Sequence, residues 1–171
     1  NRFLAWLILL MSLRLLNGFA SRSPLFEVFP FTARFTAFLV FAFLPLFYFY
    51  VRALTEPEFR FRRNHLWHFF PAGLEFLATI PFFATAILSS REDVLAYGRG
   101  WAWESPILNG LVVVQQIVYL ILILRIIRAY RERIEQLVAS LDRLRLTWIV
   151  CLLSILVFLT FIVFLVVVLL I

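Results

Sequence analysis

The sequence predicts an all-α fold, a polytopic transmembrane helical bundle with five spans in these 171 residues. Three observations predict it. The chain is 64% hydrophobic and 15% charged, where soluble domains hold roughly 45–50% apolar and about 25% charged residues. Its mean hydropathy is +0.97. The apolar residues also fall into five runs, each close to the roughly 20 residues a helix needs to cross about 30 Å of hydrocarbon. Low charge argues against disorder, and Cys151 as the single cysteine excludes a disulfide scaffold.

The first span covers about 3–20 and carries Arg14; the turn signal Ser21-Arg22-Ser23-Pro24 follows it. The second covers 32–51. Thr55-Glu56-Pro57-Glu58 then reads as a turn or short helix start, with Thr55 as N-cap and Pro57 early in the turn. The third span, 66–88, carries Glu75, and the fourth, 106–124, has no charge. Between them lies a polar loop with Gly98 and Gly100. From 125 to 147, Ile127, Tyr130, Ile134, Leu137, Leu141 and Leu144 recur every three or four residues, the pattern of an amphipathic helix or coiled-coil seam. Ser140 followed by Asp142 reads as a fresh helix start. The fourth span is therefore expected to run on into this connection and to break near Ser140. A solvated linker and a dimerising or interfacial helix both fit the connection. The fifth span is 148–171, uncharged.

Arginine sets the expected orientation. All 16 basic residues are Arg. Eleven of them (Arg2; Arg52, Arg60, Arg62, Arg63; Arg125, Arg128, Arg131, Arg133, Arg143, Arg145) fall on one side of the five-span scheme. Arg22, Arg34, Arg91 and Arg99 fall on or near the other. The Arg-rich side is predicted to be cytoplasmic, and Trp67, Trp148, Trp101 and Trp103 lie where indole rings prefer the interface. The first run has no small-residue cleavage site, so it is not a signal peptide. A start at Asn1 without Met and an end at Ile171 within an apolar run predict a piece of a longer protein.

No catalytic constellation is evident. His65 and His68 share a helix face without further ligands, so no metal site is expected, and no cofactor. No Ser or Thr has a recognisable His and acid, and there is no glycine-rich phosphate loop. Arg125-x-x-Arg128-x-x-Arg131 follows an uncharged span instead of occupying it, which argues against a voltage sensor. The polar residues inside the spans carry more information. Arg14, Glu75, Gln115 and Gln116 all fall near the bilayer centre, where a lone charge costs about 2.5–3.5 kcal/mol on insertion scales. An Arg14–Glu75 pair, with Gln115 or Gln116 satisfying leftover donors, would lower that cost. Asn17 and Asn109 would line a vestibule beside it. The layer is either a locking pair or a site for a ligand or proton.

One stretch goes beyond composition. Residues 45–71 hold Tyr48-x-Tyr50-Val51-Arg52-x-Leu54-Thr55 and, opening the next span, His68-Phe69-x-Pro71. This resembles the multi-span N-terminal membrane region of bacterial AraC-type transcription regulators. Ser140-Leu-Asp-Arg-Leu-Arg-Leu-Thr-Trp148 is similar to that family's Asn-Leu-Glu-Lys-Ile-Asn-Leu-x-Trp, with Arg145 standing where the family has Asn. The resemblance implies a signal-sensing region in the bacterial inner membrane, multi-pass, with a helix-turn-helix domain beyond residue 171. A cytoplasmic DNA-binding domain is reconciled with the Arg count if these are the middle five of seven spans. It also implies that Arg128, Arg131, Ser140, Asp142 and Trp148 couple signal to output. The partners expected are membrane lipid, a small ligand or membrane-state signal, a second copy of the chain, and DNA only through a domain outside this sequence. A transporter or channel using the Arg14/Glu75/Gln115 layer as its path is the alternative, and a sensor-kinase membrane domain is a further one.

Overall fold

A computed structural model describes residues 2–20, 23, 36–88 and 104–135, together with Cys151, Ser154, Ile155, Phe158 and Ile162. Those residues form four α-helices and one 3-10 helix.

Helix α1 (Arg2–Ala20) is rich in Leu and free of Pro. Ser23 closes it: its hydroxyl and its N–H both donate to the Ala20 carbonyl, at 2.9 and 3.3 Å. Only Leu7 and Asn17 are buried, while Trp6, Leu15, Leu16 and Phe19 stand exposed. A helix this apolar and mostly uncovered, with Arg14 as its one charge beyond the first residue, matches a hydrocarbon surrounding better than water.

Helix α2 (Leu39–Thr55) is entered through a turn at Thr36–Phe38, whose carbonyls accept from Leu39, Val40 and Phe41 at 3.1–3.2 Å. Most of its apolar side chains are covered: Phe41, Leu44, Pro45, Phe47, Tyr48, Phe49 and Val51 are buried, while Leu54 is exposed. It ends because Thr55 turns its hydroxyl back on the Val51 and Arg52 carbonyls, at 3.0 and 3.3 Å, just before Pro57. Thr55 thus finishes a helix and does not start one, which corrects the N-cap expectation. The Arg52 carbonyl also accepts the Glu56 N–H at 2.8 Å, so the hydroxyl is a second donor to carbonyls of the last turn.

A 3-10 helix (Arg63–Phe69) runs directly into α3 (Phe70–Leu88). It starts at Arg62, whose N–H donates to His65 Nδ1 at 3.0 Å while the His65 N–H donates to the Arg62 carbonyl at 2.9 Å. Pro71 lies in the first turn of α3, where its missing N–H costs little. Pro81 lies inside α3, and the Thr85 hydroxyl donates to its carbonyl at 2.9 Å. Helix α4 (Glu104–Glu135) is unbroken for 32 residues, about 48 Å at 1.5 Å per residue.

The five-span count is corrected. Among the described residues three helices are long and apolar enough to cross a membrane: Arg2–Ala20, Arg63–Thr85 and Pro106–Tyr130. The expected second span does not join them. Its helix has 17 residues, about 26 Å, begins at Leu39 instead of 32 and continues past Val51 to Thr55. Its apolar character serves burial against protein, a use that hydropathy does not separate from contact with lipid. The expected fifth span lies outside the described residues except for Cys151, Ser154, Ile155, Phe158 and Ile162, which are helical and exposed. The expected turn at 21–24, apart from Ser23, the expected polar loop at 89–105 as far as 103, and the expected break near Ser140 also lie outside them. Glu104 and Ser105, expected in that loop, already belong to α4.

The chain divides into two compact units. The first comprises Asn1–Phe47 and Phe61–Glu104, the second Tyr48–Arg60 and Ser105–Ile171.

Candidate functional site

In the first unit, α1 supplies Arg14 and Asn17, the turn before α2 supplies Thr36, and α3 supplies Glu75 and Thr79. Thr36 and Thr79 are wholly buried, and Glu75 and Asn17 nearly so. The Arg14 guanidinium donates to the Thr36 hydroxyl at 3.2 Å and to the Thr36 carbonyl at 3.4 Å. The Thr36 carbonyl already accepts from Leu39 N–H, and its second lone pair faces Arg14. On α3 the Thr79 hydroxyl donates to the Glu75 carbonyl at 2.6 Å, so both side chains lie on the buried face. Phe76, next in sequence, meets Phe38 edge-on at 5.1 Å. Glu75 and Thr79 form a buried polar seam on α3, able to present a carboxyl group within an apolar interior, while Arg14 is itself exposed and reaches inward to Thr36.

The second unit holds the other part of the expected layer. Gln116 occupies the buried stripe of α4 with Val112, Tyr119, Ile123 and Ile127. The side-chain oxygens of Gln115 and Gln116 are buried, and Asn109 is half-buried two turns earlier. Arg14 and Glu75 therefore belong to one unit, and Asn109, Gln115 and Gln116 to the other.

The motif residues of α2 gather in this second unit. Tyr48 packs edge-on against Tyr119 at 5.8 Å, both rings buried; such a pair is worth about 0.5–1.5 kcal/mol beyond area burial. One turn on, Arg52 Nε donates to Glu56 Oε2 at 2.9 Å, and its guanidinium lies 4.8 Å above the Phe59 ring. Phe59 itself stacks on the wholly buried Phe49 at 6.0 Å. The connection after α2 is thereby folded back over the helix's last turn. Burial works against the Arg52 charge, but the hydrogen bond and charge of Glu56, with Tyr48 adding, outweigh it and hold the guanidinium above its ordinary value. The bridge is half-exposed and runs Arg-to-Glu at i, i+4, the weaker direction, so it positions more than it stabilises.

Beside this knot opens a cleft of about 200 Å³, lined by Thr55, Glu56, Arg125, Ala129, Tyr130 and Arg133. The sequence does not single out Tyr119 or Phe59, and it marks Glu56, Arg125 and Arg133 only as parts of a turn and of the arginine-rich side, not as a site. Thr36 was also missed, although an arginine within an apolar helix requires oxygen acceptors, and threonine is one of the few side chains there that supplies them. Of the remaining motif positions, Tyr50 and His68 are half-buried and Arg128 is exposed on α4. Ser140, Asp142, Trp148 and the Arg131 side chain lie outside the description. Among the described residues no three His, Cys, Asp or Glu side chains gather as a metal site.

Comparison with family models, with curated proteins and with solved structures returns no match.

Proposed function

We propose that this chain is the membrane-embedded, signal-sensing region of a one-component bacterial transcription regulator. Its AraC-type helix-turn-helix domain lies beyond residue 171. The observation that carries this reading is the knot of motif residues against α4. Tyr48, Arg52 and Thr55, the positions of the resemblance, sit where the end of α2 meets Tyr119 and the cleft wall. Helix α4 then continues without a break to Glu135, carrying Arg125, Arg128 and Arg133. A change in how α2 packs on α4 would be transmitted along a rigid helix toward an output domain. A ligand or membrane state can drive such a change only by favouring one packing over the other. The Arg-rich end faces the cytoplasm in this reading.

The test uses the full protein in bacterial membranes. Specific capture of promoter fragments by those membranes, with a transcriptional response lost in Glu75→Gln or Tyr119→Ala at unchanged protein level, supports the proposal. Membranes that capture no DNA sequence specifically overturn it. If proteoliposomes of the same protein also pass solute, and Glu75→Gln blocks the flux, the polar seam serves a transporter.

A further inference from the structure

We infer that the cleft between the end of α2 and α4 is a binding site for the headgroup of an anionic glycerophospholipid. The argument begins with position. Arg125 follows Pro106, the start of the membrane-length stretch of α4, by about 28 Å along the axis, close to the roughly 30 Å thickness of hydrocarbon. Arg133 stands about 12 Å further. The exposed face of α4 changes character at this level. Leu111, Val114, Val118 and Ile121 are exposed apolar residues spaced three and four apart. The same face continues with the exposed Arg125, which also lines the cleft. An apolar stripe that turns to arginine at the depth of the headgroups follows the shape of a lipid, acyl chain below and phosphate above.

Charge points the same way. Glu56 lines the cleft, but its carboxylate is already matched by Arg52 at 2.9 Å. Among the described residues, neither Arg125 nor Arg133 has a hydrogen bond or ion pair. Arg125, Arg133 and Tyr130 are thus the donor-bearing residues of the cleft wall, and among the described residues no acid is paired with either arginine. Arginine grips a phosphate through two parallel N–H donors, and basic pockets beside membrane helices take phospholipid headgroups. Size narrows the choice. About 200 Å³ is below the roughly 300–1,000 Å³ of sites that enclose a whole small molecule. The cleft suits a phosphodiester with a small polyol, while the rest of the ligand lies outside along α4. Glu56 offers an acceptor for a headgroup hydroxyl, so phosphatidylglycerol fits the chemistry.

The experiment is native mass spectrometry of the purified chain with added phosphatidylglycerol or phosphatidylcholine, run beside thermal melts with each lipid. Wild type is expected to retain phosphatidylglycerol in preference to phosphatidylcholine. R125Q/R133Q is expected to lose that preference by about tenfold or more, with unchanged helicity. R125K/R133K is expected to recover most of it. R128Q removes one charge from the same helix off the cleft lining, and is expected to bind as wild type, whereas R125Q and R133Q singly are each expected to weaken the preference. Equal retention of the two lipids by wild type overturns the inference. So does a loss in R128Q as large as in R125Q/R133Q, which would assign the effect to general charge. Equal stabilisation by soluble glycerol phosphate in a lipid-free detergent would show a free phosphate site instead, and would overturn the lipid assignment.

Discussion

Arg14 and Thr36 lie 22 positions apart, and the guanidinium of the first donates to both oxygens of the second, at 3.2 Å to the hydroxyl and 3.4 Å to the carbonyl. Thr36 is wholly buried, so its hydroxyl has no water to fall back on. The bond ties α1 to the turn that opens α2, and it provides an arginine within an apolar helix with oxygen acceptors.

Thr36→Val keeps the shape and removes the hydroxyl. It is expected to lower stability by about 1–3 kcal/mol, the cost of leaving a charged donor short of an acceptor. In an Arg14→Leu background the same change should cost clearly less. Thermal melts of the two single variants and the double variant in detergent read the coupling. Additive effects would show that the two side chains act independently.

Burial separates two kinds of apolar residue that look alike in sequence. Phe41, buried on α2, and Leu15, exposed on α1, both belong to apolar runs. Phe41→Ala is expected to cost about 3–5 kcal/mol through the cavity it leaves. Leu15→Ala should stay within about 0.5 kcal/mol. Leu15→Asp, by contrast, should impair membrane insertion of α1 by about 2.5–3.5 kcal/mol. Denaturation in mixed micelles and an insertion assay measure the two effects.

Tyr119 packs edge-on against Tyr48. Tyr119→Phe retains the ring and should leave the melting temperature within a few degrees. Tyr119→Ala should destabilise by about 3–5 kcal/mol and release the end of α2 from α4. A distance probe between Leu54, exposed on α2, and Arg128 on α4 would then broaden; an unchanged distance would mean that other contacts hold the helices together.

Phe59 carries the fold-back of the connection, stacked on Phe49 and in contact with the Arg52 guanidinium. Phe59→Ala should speed tryptic cleavage after Arg60 by roughly 5–30-fold, the effect of about 1–2 kcal/mol on local opening. The global melt should change less than in Tyr119→Ala, because the stacked ring covers one turn and not a helix interface.

The sequence by itself determined the class and much of the helix content. The helical character of the described residues follows from composition and run length, because backbone groups in an apolar medium must be satisfied within the segment. The number of membrane-length helices did not, since five were expected and three are found among the described residues. It also marked Arg14 and Glu75 as residues needing partners, since charge in an apolar run is costly wherever the run folds. Partner choice was another matter. Arg14 took Thr36, and α2 turned out buried where an apolar run had suggested lipid. Hydropathy is a property of one segment, whereas burial and hydrogen bonding depend on what another segment brings alongside. Thr55 shows the same limit at short range. Its place beside Pro57 signals a helix boundary, but whether the hydroxyl serves the helix before it or a helix after it was decided by the folded backbone.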